Sequence, residues 1–271
     1  MTRSRQTNNK MWKDVSPTDH PPEGLPRPIT MLSLEIAAQT RVFPHNHPWG
    51  QLVYSSDGVI QVATPVGRYL VPPEQAVWVP PHLEHEVSSV LGAQLASIYI
   101  EIKETKHLPE QCCVLAVSSL LKHLIIEAIK LPFDYNWSSS HGRLFRTMRD
   151  QVAMAEVVPL HLPMPTDNRL LTISDALQKS PSDNRTLEEW AMTVGASSRT
   201  LTRLFLKETG IGFRSWRQQL RLQAALNLLN SGDSVTSVAL TLGYESSSAF
   251  ISMFQQQLGK TPGEYFTNPK Y

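Results

Sequence analysis

Long hydrophobic runs are missing from this sequence. No apolar stretch approaches the ~18 residues that span a bilayer. The longest candidate, Val114 to Leu131, is broken by Ser118, Ser119, Lys122, His123 and Glu127. No membrane partner is expected. The N-terminal segment MTRSRQTNNKMWKD carries basic residues with no apolar core behind them, so it does not read as a secretory signal. The expected compartment is the cytoplasm. Cysteine is scarce: of 271 residues only Cys112 and Cys113 are cysteines, and they are adjacent. Neighbouring residues give poor disulfide geometry, and two thiols are too few for a zinc site. They read as buried or idle thiols, with a redox switch as the lesser alternative. An excess of one charge is lacking too, since the formal net charge is +1. That balance hides an asymmetry. Residues 168–271 hold 11 Lys+Arg against 8 Asp+Glu, while residues 1–167 hold 14 against 16. A modest positive excess on one half is compatible with nucleic acid but does not establish it.

What is present divides along the chain. Residues 1–28 are polar and proline-rich and read as a flexible arm. From Ile29 to about Lys103, short β-like runs (ITMLSLEIA, QLVYSSDGVIQVAT, GRYLV, AVWVP, HEVSSV, LASIYIEI) are punctuated by Gly and Pro. Such spacing suggests a sandwich or barrel. Residues 113–130 place Val114, Val117, Leu121, Leu124, Ile125 and Ala128 at helical spacing, and residues 141–155 suggest a second helix. The proline-punctuated segment VVPLHLPMPTDN cannot continue a helix and is the best domain boundary. Everything after Arg169 reads as helical.

Residues 185–209 contain a short helix, a glycine and a second helix. Thr186 and Glu189 form a capping-box pattern; Leu187, Trp190, Ala191 and Val194 form an apolar stripe; Gly195 ends it. Ser197 or Ser198 can cap the next helix, which turns Leu201, Leu204 and Phe205 inward and shows Arg199, Thr200, Thr202, Arg203 and Lys207 outward. That is the form of a DNA-binding helix-turn-helix. The pattern recurs in residues 234–258, with Gly243 at the turn, 48 residues after Gly195. There Ser246 or Ser247 caps a helix that buries Phe250 and Phe254. Between the units, residues 213–230 read as one helix. Eighteen residues span about 27 Å, close to the roughly 34 Å between successive turns of the major groove.

Residues about 168–268 closely resemble the DNA-binding domain of the AraC/XylS family of transcription regulators. Gly243, Tyr244, Ser246, Ser248, Phe250, Phe254, Gly259, Pro262 and Tyr265 match the spacing of its signature, and Ala191, Gly195, Ser197, Arg199, Leu201, Arg203, Phe205 and Gly210 match its first unit. The chain departs from the family at Gln255 and Phe266, where basic residues are usual. No Lys or Arg occurs between Arg221 and Lys260. The first unit, through Arg199, Arg203 and Lys207, is therefore expected to supply most of the phosphate grip. Glu245, Ser246, Ser247, Ser252 and Gln256 of the second are expected to make weaker or backbone contacts.

In the β-rich part, His45 and His47 alternate on one strand and so share a face. They are followed by Gln51, Gly58, Pro80 and His85. Imidazole suits zinc, copper, iron or nickel. The pattern resembles the cupin barrel, with Gln51 in place of the usual carboxylate and His82 in place of a glycine. Two readings stand. In one, His45, His47 and His85 bind a divalent metal with Gln51 as a weak fourth ligand or orienting group. In the other, they are a relic of the fold and line an effector pocket or pack against Trp49 and Trp78. No cofactor follows with certainty, and a divalent metal is the one candidate.

The expected fold class is an α+β multidomain chain: a cupin-like β-barrel, then an all-α domain with two helix-turn-helix units. The boundaries are 1–28 for the arm, 29–110 for the sensor barrel, 111–160 for a helical connector that dimerises the chain or packs on its own barrel, and 168–271 for the DNA-binding domain. The expected function is a regulator of transcription that binds promoter DNA under control of a small molecule or metal, and not an enzyme. The alternatives are a metal-dependent cupin enzyme with an appended helical domain and a helical protein-interaction module.

Overall fold

A strand in the middle of a sheet that is covered on both faces is apolar throughout rather than alternating. Several of the runs read as strands have that character, and the computed structural model shows what covers them. It describes residues 13–16, 24–72, 75–90, 92–158 and 160–266. Among these, twelve strands form two six-stranded sheets. The strands are β1 (Lys13–Val15), β2 (Ile29–Ile36), β3 (Thr40–His45), β4 (Gly50–Gly58), β5 (Ile60–Thr64), β6 (Gly67–Val71), β7 (Gln75–Val79), β8 (His85–Ser89), β9 (Ala93–Ile100), β10 (Cys113–Ala116), β11 (Val157–Val158) and β12 (His161–Pro163). One sheet runs β1-β3-β8-β5-β6-β12 and the other β11-β10-β7-β4-β9-β2. Only β1–β3 is parallel among these pairs.

The central strand β4 shows the double covering. Val53, with Val77 and Leu95, belongs to one core together with Val62 and Val87 of the facing sheet. Leu52, with Trp78 and Ile98, points the other way into a second core. That second core is closed by helices α1 (Ser119–Ile129) and α2 (Ser140–Ala153) through Leu121, Ile125, Phe145 and Met148.

Three sequence expectations change here. The apolar positions of 113–130 are not one helix: Cys113–Ala116 is a strand paired to β7, and Ser118 then caps α1 by accepting from the Leu121 amide. A four-residue strand followed by a helix merges into one apolar stripe by eye. The sheets do not end at residue 110, because β10, β11 and β12 complete both of them. The proline-rich boundary therefore lies partly inside the β structure, with His161–Pro163 paired to β6. The arm is not uniformly unstructured, since Lys13–Val15 pairs with β3; residues 1–12 and 17–23 lie outside the described residues.

The remaining helices are α3 (Asn168–Lys179), α4 (Leu187–Val194), α5 (Ser198–Thr209), α6 (Phe213–Asn230), α7 (Val235–Thr241), α8 (Ser247–Leu258) and α9 (Pro262–Phe266). Their ends follow the local chemistry. Thr186 and Glu189 form the reciprocal capping box, and Gly195 ends α4 at φ 65°, where a side chain would be strained. Helix α6 has the bounds read from the sequence and packs on β12. The Trp216 indole donates to the Pro163 carbonyl (2.7 Å), and the Gln223 amide donates to the Leu160 carbonyl (3.0 Å). Among the described residues no helix is long and apolar enough to cross a membrane.

Candidate functional site

Two sets of candidate residues stand apart in the structure, one on α5 and α8, the other inside the β structure. In α5, Leu201 and Phe205 are fully buried, and rotation by 100° per residue puts Arg199, Thr202, Arg203 and Lys207 on the exposed side. In α8, Phe250 and Phe254 are buried, and Ser252, Gln255 and Gln256 are exposed. Each helix therefore presents a polar ridge, basic on α5 and uncharged on α8.

The hydroxyls of these helices are less available than the sequence suggests. Ser197 and Ser246 are the caps, accepting from the Thr200 and Ala249 amides. Thr200 is hydrogen-bonded to Ser197 (2.9 Å), and Thr202 donates to the Ser198 carbonyl (2.9 Å). Ser198 and Ser247 are the first residues of their helices and half-buried, and Ser247 donates to Thr236 (3.3 Å). Glu245 is exposed just before the cap of α8. The residues left with outward functional groups are chiefly Arg199, Arg203, Lys207, Ser252 and Gln256. Gln255, noted above only as a departure from the family, and the exposed Leu206 lie on the same ridges, where the helical period places them.

His45 at the end of β3, His47 just after it and His85 at the start of β8 come together, their ligand atoms within 4.8 Å of one another. In each ring Nδ1 faces a backbone carbonyl: His45 to Phe43 (2.8 Å), His47 to Trp49 (2.8 Å), His85 to Leu83 (2.9 Å). A carbonyl only accepts, so Nδ1 carries the proton and Nε2 presents its lone pair. Burial also lowers the pKa of His45 and His47, which favours the neutral rings. The Nε2 atoms of His47 and His85 face Oε1 of Gln51 at 3.1 and 2.9 Å. The other end of that amide donates to Ser97 (3.0 Å). Lone pairs of neutral imidazoles beside this amide are met in one of two ways: by a cation held among them, or by the Gln51 amide turned to donate to them and to accept from the Ser97 hydroxyl. Three nitrogens and one oxygen are a donor set that fits a borderline divalent ion, and carbonyl contacts at Nδ1 are the usual support of metal-binding histidines. The His47 ring also stacks on Trp49 (centroids 5.2 Å, 13°).

The cluster opens on a cavity of about 200 Å³ between the two sheets, lined by His45 and Gln51 and by Leu34, Val42, Val53 and Leu95 among others. Thr40, Ser97 and Tyr99 also line it. They escaped the sequence reading because they lie on distant strands that only the fold brings together.

Comparison with known proteins covers both parts of the chain. The description "Helix-turn-helix domain" matches residues 190–268, and "AraC-like ligand binding domain" matches residues 32–125. The chain is 37% identical to the HTH-type transcriptional regulator NimR of Escherichia coli (strain K12), over 82% of this chain and 81% of that protein. It is 35% identical to the HTH-type transcriptional regulator RipA of Corynebacterium glutamicum, over 39% of this chain and 32% of that one. Among solved structures, ToxT from Vibrio cholerae aligns over 88% of this chain and 98% of that chain, at 12% identity and a TM-score of 0.37. With its helix-turn-helix pair, its ligand-binding β domain and a regulator as a relative along most of its length, the chain belongs to the AraC/XylS family of transcription regulators.

Proposed function

We propose that this regulator binds promoter DNA through α5 and α8 together, with α5 supplying most of the affinity, and that the β domain sets occupancy by sensing a divalent metal or a metal-held small molecule. The observation that carries the DNA reading is the repeated unit on either side of α6, with Arg199, Arg203 and Lys207 exposed on its first copy and no basic residue on the second. His45, His47, His85 and Gln51 would hold the metal, and the cavity beside them would take the small molecule. The relatives named above are regulators, which supports reading the histidine site as a sensor rather than a catalytic centre, in a protein that works in the cytoplasm where promoters are.

The domain division that fits this reading is an arm, a sensor reaching to about residue 163, and a DNA-binding domain from 168. Homodimerisation is part of the proposal, although α1 spends its stripe of Leu121, Ile125 and Ala128 on its own sheet. Its exposed side carries Leu120, Ile126 and Ile129, with Phe133 beyond, and these are what a second copy would cover.

A salt series with a duplex selected by the full chain from a randomised pool tests the DNA reading. Phosphate neutralisation makes affinity fall steeply and linearly on logarithmic axes. An affinity independent of salt contradicts it.

A further inference from the structure

The two helix-turn-helix turns are equivalent in sequence and differ in their surroundings. A Cβ added at Gly195 would meet nothing within 4 Å. A Cβ added at Gly243 would lie 2.7 Å from the Ser182 carbonyl oxygen. Gly243 has φ 75° as well, so both conformation and space demand glycine there. What crowds it is the loop between α3 and α4, which belongs to the first unit's side of the domain.

That loop is tied down at three points. The Asn184 amide donates to the Gly243 carbonyl (3.3 Å). Arg221, on α6 and only 8% exposed, donates Nε to the Pro181 carbonyl (2.8 Å) and Nη2 to the Asp183 carbonyl (3.3 Å) and to Asn184 Oδ1 (2.8 Å). Its guanidinium lies 5.5 Å from the Tyr244 ring centroid. One turn earlier on α6, Arg217 donates to the Arg185 carbonyl (2.9 Å). The helix that joins the two units thus also grips the loop that lies across the second unit's turn.

We propose that Arg221 and Asn184 are positioning residues for DNA reading: they brace the loop 181–185 of the first unit against the Gly243 turn of the second, and so fix the angle between the recognition helices α5 and α8. A single connecting helix sets the distance between two bodies but leaves bending and twisting at its ends. A second contact, off the helix axis, removes that freedom. Neither residue belongs to the outward ridges of α5 and α8, so the effect on DNA passes through geometry. Arginine is required for it, because a planar fork reaches three acceptors that a lysine point charge does not.

The proposal rests on both units contacting DNA, and the test separates the two ideas. The probe is a duplex selected by the wild-type full chain from a randomised pool, footprinted to locate the contacted groove segments. A second duplex carries one extra base pair between those segments, which moves one relative to the other by about 3.4 Å and 35°. The readout is the ratio of affinities for the two duplexes. The fraction of folded protein cancels in this ratio, so simple destabilisation does not move it. The wild type is expected to lose about tenfold on insertion, and Arg221→Lys and Asn184→Ala about threefold or less. Asn184 is exposed, so its variant keeps the test open if the Arg221 variant folds poorly. A relaxed ratio in either variant sustains the brace. Ratios equal to wild type in both overturn it. A wild-type footprint confined to one groove segment overturns the two-unit reading and the brace with it.

Discussion

Arg203 and Gln256 face outward from helices of the same design, and they differ in what they offer to DNA. A guanidinium neutralises phosphate and releases counterions, whereas an amide only hydrogen-bonds. Arg203→Ala is expected to lower affinity about tenfold and to reduce the salt slope by about 1. Gln256→Ala is expected to cost less than about threefold and to leave the slope unchanged. Equal losses in a gel-shift titration at fixed salt contradict the unequal division of labour. At the proposed metal site, His47→Ala removes one of three nitrogens. Protein purified without an affinity tag is expected to retain a divalent metal in the wild type and to lose it in the variant; equal metal content in both contradicts metal binding. The helix caps and turns around these side chains were legible because their signals are local. The capping pair Thr186 and Glu189 and the turn at Gly195 each need fewer than five residues to read, whereas His45 and His47 come together although β3 ends at His45 and the expected strand alternation stops there. Ser97 and Thr40 were not legible, because their place beside the site depends on strand pairing over long sequence separations.

Elements bounded by clear breakers were read correctly, and mixtures were not. Helix α6 kept its bounds because its eighteen residues hold no glycine or proline and lie between Gly212 and the Ser231–Gly232 turn. β10 was absorbed into α1 because only Val117 and Ser118 separate strand from helix. β12 was hidden because prolines suit a sheet edge as well as a linker, and among the described residues His161–Pro163 is an edge strand paired with β6. Steric context also overrides propensity at α2. Exchanging Gly142 for alanine in an open helix would stabilise it by up to about 1 kcal/mol. Here the added Cβ would overlap the Trp137 carbonyl oxygen, a backbone atom that cannot swing away. Overpacking of this kind costs about 1–3 kcal/mol. Gly142→Ala is therefore expected to melt below the wild type in a thermal scan, and a higher melting temperature would contradict the packing described for this corner.

At the scale of the whole molecule, the sensor and the reader meet on α6. Trp216 and Gln223, two turns apart on one side of that helix, bond to the carbonyls of Pro163 and Leu160 in the segment that completes the sheet. The same helix connects the two recognition units. A change in the β domain that moves β12 therefore acts on the element that spaces α5 and α8. A ligand shifts such an equilibrium only by its different affinity for the two arrangements, and couplings of about 5- to 150-fold are typical. Gln223→Leu removes the hydrogen bond without removing the helix, and is expected to leave DNA binding intact while shrinking its response to the sensor. A response as large as in the wild type would show that the coupling runs elsewhere. The most direct measurement is DNA affinity at fixed ionic strength, on a selected duplex, with zinc and with a chelator, for the wild type and His47→Ala. The account predicts a change of about fivefold or more in the wild type and none in the variant. Affinity that ignores the metal in the wild type, or responds equally in both proteins, would contradict it.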